Sequence, residues 1–359
     1  MHPRGVHRFM KGIQRNVLLR PFTSFQIGGR AKYFFEAKTT KDLREAIKWV
    51  KNKKLPYFIL GGGSNILFSD KGFDGLVIKM QNLKIKMQND NSKCKIFAEA
   101  GANLSKLVEL SVKNKFSGLE WAVGIPGTVG GAVRGNAGAC GGSIEKILKR
   151  VKVLAGEKPP LNLPLGKGEK EGVGDSFLAR WFDNKDCQFK YRTSIFKQRP
   201  ELIILEAEFE FNKGQREIIK KKIKECLKKR KNQPAEPSAG CVFKNPIVTN
   251  PPPFGDAFFS KMRKHFYHRR VGDELCQKYP EIKKVVRDGK LPAGWLIEGA
   301  GLKGYQIGGA KISERHANFI INTGGARAED VIILISLIKQ KVRNKFGIQL
   351  YEEIEYAGF

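Results

Sequence analysis

The segment GIPGTVGGAVRGNAGACGG, residues 124–142, decides how this chain is interpreted, because eight of its 19 residues are glycine. Such a segment has almost no side chains to bury, and each glycine loses much backbone entropy on folding. A folded domain that contains it needs the backbone N–H groups close to a ligand, most often a phosphate. A long turn or a tight contact between strands is the alternative. The density of glycine favours a cradle for an anion.

A second glycine loop, GGGSN at residues 61–65, follows a short apolar strand predicted at residues 55–60. A strand that ends in a glycine loop is a recurrent phosphate or nucleotide site. The loop lacks the GK[ST] ending of a Walker motif. A GxGxxG string at residues 299–304 follows a helical stretch and has no acidic residue near Asn322. We therefore interpret that string as unrelated to dinucleotide binding.

The composition is that of a globular protein with two or three domains and a strong positive charge. The chain has 359 residues, of which 41% are hydrophobic and 28% charged, and its net charge is +31. No apolar run could span a bilayer and the basic N-terminus lacks a secretory signal core, which predicts a cytoplasmic protein. Ten Lys or Arg residues lie within residues 213–231. Without a nucleic-acid motif, this run is interpreted as a solvated helix face that attracts anionic substrates.

Neither a metal centre nor a disulfide framework is predicted. The six cysteines are scattered without a CxxC pair, and four of the five histidines lie in basic segments. Reduced thiols and no metal are therefore expected.

Hydrophobic periodicity predicts helices at about residues 39–53, 103–115 and 215–231. The first begins with a capping box formed by Thr39 and Asp42. The basic third helix marks a plausible domain boundary. These elements surround the glycine segment without deciding what it binds.

The C-terminal part predicts a further helix and a closing strand. The helix has Glu329 and Asp330 in its first turn, and Gly347 ends it. Its predicted buried stripe consists of Val331, Leu334, Ile335, Ile338 and Val342. Alternation over residues 348–356 predicts a strand with one shared face formed by Ile348, Leu350, Ile354 and Tyr356.

Two further groups could carry chemistry besides the glycine loops. Tyr191 and Arg192 stand next to each other after a charged, Pro- and Gly-rich stretch at about residues 158–175. The string GCVFKNP, residues 240–246, places the thiol of Cys241, the ammonium of Lys244 and the amide of Asn245 close together. A second insertion, with a PPP run, follows at about residues 247–290.

Together these strings resemble one family, the UDP-N-acetylenolpyruvoylglucosamine reductases. The matching strings are FTSFQIGGRA, LGGGSNIL, GLEWAVGIPGTVGGAVRGNAGA, FKYRTSIFK, SAGCVFKNP, AGWLIEGAGLKGYQIGGAKISERHANFIIN and KVRNKFGIQLYEEIE. They occur in family order over about residues 22–356. The resemblance implies an α+β fold with an FAD-binding region of the PCMH/VAO type, in two subdomains, at residues 27–211. A C-terminal α+β substrate-binding domain is implied at residues 212–359, with its last strand returning to the flavin site.

The resemblance also assigns the site residues. The two glycine loops are implied to line the FAD through Gly61, Gly62, Gly63, Ser64, Asn65, Gly124, Ile125, Pro126, Gly127, Thr128, Gly130 and Gly131. The implied catalytic residues are Arg192, Cys241 and Glu353. Cys241 stands where many members have a serine as proton donor. Tyr191, Lys244 and Asn245 are implied to contact the substrate.

The implied reaction uses non-covalent FAD, with NADPH and UDP-N-acetylglucosamine enolpyruvate as substrates. Hydride passes to the methylene carbon of the enolpyruvyl group. Arg192 stabilises the negative charge that develops, and Cys241 protonates the adjacent carbon. A thiol, with a reference pKa near ~8.5, is acidic enough for that role. A monomer without a specific nucleic-acid partner is expected.

Two other functions remain open at this stage. The first is a flavin oxidoreductase of the same fold that acts on a small alcohol or lactone. The strings SAGCVFKNP and AGWLIEGAGLKG argue against it, and an assay with the enolpyruvyl nucleotide would distinguish the two. The second is a basic nucleic-acid-binding protein that retains a flavin fold without the cofactor, and a yellow chromophore would exclude it.

Overall fold

The computed structural model describes residues 10–81, 83–89, 94–156, 168–169, 177–248 and 277–359. Within these ranges the chain forms two compact units. The first unit comprises Met1–Leu18, Arg30–Gly63 and Phe73–Lys231, and the second comprises Leu19–Gly29, Ser64–Gly72 and Asn232–Phe359. Helices and strands occur in both, which confirms the predicted α+β class. Most of the predicted insertion at about 158–175, and most of that at about 247–290, lies outside the described residues.

The helices and strands are labelled here in chain order. The strands are β1 (Gln14–Leu18), β2 (Arg30–Ala37), β3 (Tyr57–Leu60), β4 (Ile66–Phe68), β5 (Phe73–Met80), β6 (Ile85–Asn89), β7 (Cys94–Glu99), β8 (Phe116–Ser117), β9 (Gly138–Ala139), β10 (Gly142–Ser143), β11 (Leu148–Gly156), β12 (Gly168–Glu169), β13 (Phe177–Asp183), β14 (Ile203–Lys213), β15 (Ser238–Cys241), β16 (Gln306–Ile307), β17 (Ala310–Ile312), β18 (Phe319–Asn322) and β19 (Glu355–Ala357). The helices are α1 (Thr40–Asn52), α2 (Leu104–Lys113), α3 (Val129–Arg134), α4 (Ile195–Gln198), α5 (Arg216–Arg230), α6 (Ile282–Val285), α7 (Ala293–Gly299) and α8 (Ala328–Phe346).

The first unit is built on two larger sheets. One has the strand order β1-β2-β5-β3, in which β2 and β3 each pair in parallel with β5. The other has the order β12-β13-β11-β14-β7-β6, with antiparallel neighbours, and β8 also pairs with β14. A two-stranded sheet of β9 and β10 contains the end of the glycine segment. The apolar faces of these elements form one core cluster.

Helix α1 forms where the sequence predicts it. The Thr39 hydroxyl accepts a hydrogen bond from the Asp42 N–H at 3.1 Å, and the Asp42 carboxylate accepts one from the Thr39 N–H at 2.9 Å. This reciprocal pair is the predicted capping box, with Asp in place of the usual Glu or Gln. Leu43, Ile47 and Val50 are fully buried against the sheet. Helical spacing of apolar residues and a local cap were enough to predict this element.

The basic helix α5 belongs to the first unit, although the predicted boundary at residues 211/212 separates it from that unit. Ile219 and Cys226 are buried on one side of the helix. On the same side, Arg230 Nη2 donates to the Trp121 carbonyl at 3.4 Å. These contacts place the helix in the first unit, which therefore ends at Lys231.

Two short segments from the N-terminal part of the chain lie in the second unit, and one of them, 64–72, falls within the predicted FAD-binding region. Asp70 accepts hydrogen bonds from the N–H groups of Ala328 and Glu329 at 3.0 and 3.2 Å, and so caps the N-terminus of α8. Asn322 Nδ2 donates to the Phe25 carbonyl at 3.1 Å. Segments 64–72 and 19–29 are fixed by these long-range bonds, which local sequence patterns do not encode.

The second unit has a four-stranded sheet with the order β15-β18-β17-β16, and α8 supplies much of its core. All five residues of the predicted stripe on α8 are buried. Gly347 follows the helix with φ +68, the left-handed conformation of a C-terminal glycine. Helix α7 precedes the GxGxxG string, as the sequence analysis expects. Strand β19 pairs in parallel with β4.

The closing strand is shorter than predicted, and one of its residues faces the other way. Ile348, Leu350 and Ile354 are buried as expected, whereas Tyr356 is 41% exposed. Regular pairing is confined to β19, so strict alternation does not continue from residue 348 to residue 356. The prediction that Tyr356 shares the buried face was therefore wrong.

Candidate functional site

The two glycine loops meet at backbone distance in the first unit. A Cβ atom on Gly61 would lie 2.6 Å from Thr128 Oγ1, and one on Gly62 would lie 2.7 Å from the Cα of Gly127. Gly127 itself has φ +115, a conformation that side-chain-bearing residues rarely adopt. Gly61, Gly62 and Gly127 have no side chains, and this absence allows the two loops to come so close.

Helix α3 continues from this contact. The Thr128 side chain caps the helix by accepting from the Gly131 N–H at 3.4 Å. Gly130 packs against the neighbouring strand, where a Cβ would lie 2.8 Å from Ala100 Cβ and its N–H donates to the Ala100 carbonyl at 2.8 Å. The main chain at the start of α3 thus forms a ridge beside the first glycine loop, made of Thr128, Gly130 and Gly131.

The surface of this ridge can accommodate a phosphate-bearing ligand. Gly62 and Gly131 are exposed, and a Cβ on Gly131 would meet only Thr128 Oγ1, at 3.5 Å. A ligand could therefore reach the main chain there without meeting a side chain. A cradle of this kind fits the diphosphate of a dinucleotide. We call residues 61–63 and 124–131 the glycine cradle.

Residues at both ends of the glycine segment contact Trp121 or the basic helix α5. A Cβ on Gly142 would lie 2.1 Å from Trp121 Cδ1, so this glycine is required by the indole ring. Arg230 Cδ lies 3.4 Å from the Cβ position of Gly124. The thiol of Cys226 shares a hydrogen bond with that of Cys140, and burial raises the pKa of Cys226 to about 11. The contacts of Gly124 with Arg230 and of Cys140 with Cys226 were not predicted, because each joins residues more than 80 positions apart.

Arg192 lies in a tight turn of the first unit. Lys190 and Thr193 exchange backbone hydrogen bonds of 3.0 and 3.1 Å, so Tyr191 and Arg192 are the two central residues of the turn. Arg192 has φ +57, and its guanidinium carbon lies 5.4 Å from the centroid of the Tyr191 ring. Burial lowers the pKa of the neighbouring Lys190. Tyr191 and Arg192, adjacent in the sequence, thus form the centre of one turn, in which the Arg192 guanidinium lies over the Tyr191 ring.

Cys241 and Glu353 lie on neighbouring segments of the second unit. The Glu353 N–H donates to the Val242 carbonyl at 2.7 Å, and the Lys244 N–H donates to the Tyr351 carbonyl at 2.9 Å. Gly240, with φ +76, lies at the irregularity in β15 just before Cys241. The two candidate catalytic residues are 112 positions apart in the sequence, but Glu353 bonds to the residue that follows Cys241. Both side chains are half-buried.

The neighbouring acidic residue is engaged elsewhere. Glu352 Oε1 accepts from Lys339 Nζ at 2.9 Å, which ties it to helix α8. The carboxylate of Glu352 is thus held by helix α8. Asn245 is also engaged, because its Oδ1 accepts from the Ala293 N–H at 2.9 Å at the start of α7. Asn245 therefore has a structural contact in addition to any contact with a ligand.

Two asparagines support the segments that carry Cys241 and Glu353. The Asn318 side chain accepts from the Phe243 N–H and donates to the Phe243 carbonyl, both at 2.9 Å, and Asn318 is only 3% exposed. Asn65, which the resemblance assigns to the FAD, donates from Nδ2 to the Glu353 carbonyl at 3.1 Å. Its carbonyl also accepts from the Glu355 N–H at 3.0 Å. Asn318 was missed because a lone asparagine carries no sequence signal for such a role.

Two further observations concern metal-ligating groups and apolar helices within the described ranges. No group of three or more metal-ligating side chains occurs among the residues that the structure describes. Nor does that part of the chain contain a helix long and apolar enough to cross a membrane. The cysteines Cys94, Cys140, Cys187, Cys226 and Cys241 are free thiols.

Comparison with known proteins supplies the biological context of this geometry. Residues 31–157 match the model of an FAD-binding domain, and residues 233–357 match the C-terminal domain of UDP-N-acetylenolpyruvoylglucosamine reductase. Reductases of that name from Carboxydothermus hydrogenoformans and Caldanaerobacter subterraneus are 37% and 36% identical to this chain. The alignments cover 98% and 96% of this chain and 96% and 93% of those proteins.

A solved structure shows the same similarity in three dimensions. The crystal structure of the reductase from Thermus caldophilus matches with a TM-score of 0.68 at 28% sequence identity. The match covers 96% of this chain and 99% of the other. The similarity therefore extends over both compact units.

Proposed function

Because the chain belongs to the UDP-N-acetylenolpyruvoylglucosamine reductase family, we propose that it reduces UDP-N-acetylglucosamine enolpyruvate to UDP-N-acetylmuramate with NADPH. Members of this family are flavin-dependent oxidoreductases of peptidoglycan synthesis, and this chain carries the FAD-binding domain. The observation that supports the proposal most directly is the pairing of the Cys241 and Glu353 segments. It supports the proposal because the segments that carry the proposed proton donor and the proposed carboxylate are neighbours within the reductase-type C-terminal domain.

The glycine cradle is the proposed site for the FAD diphosphate. Gly61, Gly62 and Gly63, together with Gly124–Gly131, would line it with main chain rather than side chains, although the N–H groups of Gly130 and Gly131 already donate to Ala100 and Thr128. Ser64 and Asn65 continue the first loop and are proposed to contact the same cofactor. The chemistry that bound FAD supplies is hydride transfer, from NADPH and then to the methylene carbon of the enolpyruvyl group. No histidine adjoins either loop, so attachment is proposed to be non-covalent.

Arg192 and Glu353 are the proposed stabilisers of the reacting substrate. Hydride addition leaves negative charge on the carboxylate side of the enolpyruvyl group. A fixed guanidinium stabilises such charge best when its position is set before the reaction. In support of this role, the main chain of the turn at Arg192 is held by two hydrogen bonds. The Glu353 main chain is fixed in the same way, by Val242 and Asn65.

Cys241 is the proposed proton donor to the carbon next to the methylene. A thiol can give up its proton and accept it again from water, so it can act as a general acid in each turnover. Tyr191, Lys244 and Asn245 are proposed to bind the sugar nucleotide. Lys244 offers a positive charge for its diphosphate, and Tyr191 offers a ring beside Arg192.

The test is an absorbance experiment on the purified full-length protein. We expect a flavin spectrum that NADPH bleaches and that the enolpyruvyl nucleotide restores. A colourless protein, or a reduced flavin that the nucleotide fails to reoxidise, would overturn the proposal. NADH in parallel tests the preference between the two nicotinamide cofactors. The cytoplasmic location and monomeric state remain predictions, and size-exclusion chromatography with light scattering tests the second.

A further inference from the structure

Arg192 has an unfavourable backbone conformation that needs external support. Its φ of +57 lies in the left-handed region, where a residue with a side chain is strained. The second central position of this kind of turn is usually glycine for that reason. Strain of this kind persists only where surrounding contacts enforce it, and it concentrates at functional sites.

Two buried side chains provide such contacts. Ser194, which is fully buried, donates from Oγ to the Arg134 carbonyl at 2.6 Å. Asn136, which is 4% exposed, donates from Nδ2 to the Lys190 carbonyl at 3.0 Å. One bond lies on each side of the Tyr191–Arg192 pair. Neither side chain belongs to the turn's own backbone pairing, so both act on it from outside.

Both bonds connect the turn to the glycine segment. Arg134 is the last residue of α3, and Asn136 follows it two residues later. The first turn of the same helix is capped by Thr128, which packs against Gly61. One short helix therefore joins the cradle at its start to the Arg192 turn at its end. A helix of six residues is about 9 Å long, so the distance between the cradle and the Arg192 turn is short and nearly fixed.

Asn136 is itself fixed in place. Its Oδ1 accepts from the Glu145 N–H at 3.1 Å, and its own φ is +44. Asparagine tolerates this left-handed conformation better than most residues. The side chain therefore bridges two main-chain segments, at Glu145 and at Lys190, from a conformation that few other residues adopt.

We propose that Asn136 and Ser194 are positioning residues that set the guanidinium of Arg192 relative to the glycine cradle. The inference rests on the proposed role of Arg192 in reduction of the enolpyruvyl nucleotide. Loss of either bond leaves Arg192 present but loosens the turn that carries it, and small misplacements of a catalytic group are costly. Loss of either bond should slow reoxidation of the reduced flavin by the enolpyruvyl nucleotide, the half-reaction that needs Arg192. Binding of the cofactor should be unaffected.

The test uses Ser194→Ala and Asn136→Gly in the FAD-loaded protein. Glycine at position 136 keeps φ +44 accessible, so that variant removes the side-chain bonds without adding backbone strain. Reoxidation of the reduced flavin by the enolpyruvyl nucleotide should slow by about tenfold or more. FAD affinity and the rate of reduction by NADPH should stay close to those of the wild type. Equal losses in all three would overturn the proposal.

A matched control and a double-mutant cycle separate positioning from general damage. Ser111 is also buried in the first unit and donates to the Val108 carbonyl at 2.7 Å, so Ser111→Ala removes a comparable bond elsewhere. Ser111→Ala should leave reoxidation unchanged. In an Arg192→Ala background, Ser194→Ala should cause almost no further slowing. Full additivity of the two substitutions would show that Ser194 does not act through Arg192.

Amide hydrogen exchange measures how firmly the turn is held, and it does so without depending on enzyme activity. The peptide covering residues 188–196 should exchange faster in Ser194→Ala and Asn136→Gly than in the wild type and in Ser111→Ala. Unchanged protection would overturn the proposal even if activity fell. If the wild type fails to reduce the enolpyruvyl nucleotide at all, the proposed function fails, while the exchange result still decides whether the two side chains fix the turn.

Discussion

The turn that carries Arg192 depends on side-chain hydrogen bonds from outside it, whereas main-chain bonds pair the segments that carry Cys241 and Glu353, with further support from Asn318 and Asn65. In the first unit, a strained turn is tied down by two side chains, Ser194 and Asn136. In the second unit, main-chain bonds join the Cys241 and Glu353 segments directly. Side-chain bonds can be removed by one substitution, whereas main-chain bonds survive most substitutions. The Arg192 turn should therefore be the more sensitive of the two regions to conservative change.

The largest effect is expected from removal of the guanidinium. Arg192→Ala should slow reoxidation of the reduced flavin by the enolpyruvyl nucleotide by about 100- to 1000-fold, the usual cost of losing a positioned charge stabiliser. Reduction by NADPH should be nearly unchanged, and stopped-flow absorbance separates the two half-reactions. Arg199→Ala is the control, because Arg199 forms an exposed ion pair with Glu201 at 2.9 Å. A reoxidation rate near that of the wild type in Arg192→Ala would remove Arg192 from the site.

The next effect concerns the proton donor in the second unit. Cys241→Ala should slow the same half-reaction by about 100-fold, within the usual range for a general acid. Cys241→Ser keeps a donor and should retain much more of the rate. Because main-chain bonds fix this segment, neither variant should change the free energy of unfolding appreciably. Full-rate reoxidation in Cys241→Ala would show that another group supplies the proton.

Asn318 tests whether the second unit also depends on one side chain. Asn318→Ala leaves the buried N–H and carbonyl of Phe243 without their partner, so we expect a loss of about 2 kcal/mol in the free energy of unfolding. Urea denaturation measures this loss. The control is Asn114→Ala, which removes a less buried bond to the Leu110 carbonyl. A loss no greater than that of the control would mean that main-chain pairing alone fixes the segment.

The glycine cradle offers a comparison within the first unit. Gly62→Ala places a Cβ against the main chain of Gly127 and should destabilise the protein without cofactor. Gly131→Ala meets only Thr128 Oγ1, so stability should persist while FAD affinity falls by about tenfold, or about 1.4 kcal/mol. Flavin fluorescence titration measures the affinity. Gly156→Ala, with nothing within 4 Å of its Cβ, should change neither quantity. Unchanged FAD affinity in Gly131→Ala would place the cofactor elsewhere.

The smallest effect is a pH dependence of stability near the Arg192 turn. Burial raises the pKa of Cys187 from 9.0 to about 12. A raised pKa means that the unfolded chain loses this proton first, so stability decreases as the pH rises above 9. At pH 9.5 this thiol should account for about 0.8 kcal/mol of lost stability. Cys187→Ala should show a correspondingly shallower alkaline decline in urea denaturation, and parallel curves would contradict the assignment.

Much of the fold could be predicted from the sequence because its signals are local. The capping box at Thr39 and Asp42, the buried stripe on α8 and the C-terminal Gly347 each depend on residues within about one or two helical turns. The family strings also led to both glycine loops and to Cys241. Those strings show which residues are present, but they do not show which hydrogen bonds hold those residues in position.

The tertiary structure alone decided the contacts between distant segments. The Ser194 side chain bonds to Arg134, which is 60 positions away in the sequence, and the Asn318 side chain bonds to Phe243, which is 75 positions away. Within the paired strand β19, Tyr356 is 41% exposed and its neighbour Ala357 is buried instead, and α5 joins the first unit through buried contacts. The sequence by itself determined the family, the cofactor class and the local elements, since these depend on neighbouring residues. How Arg192, Cys241 and Glu353 are fixed depends on packing between segments, which no local pattern records.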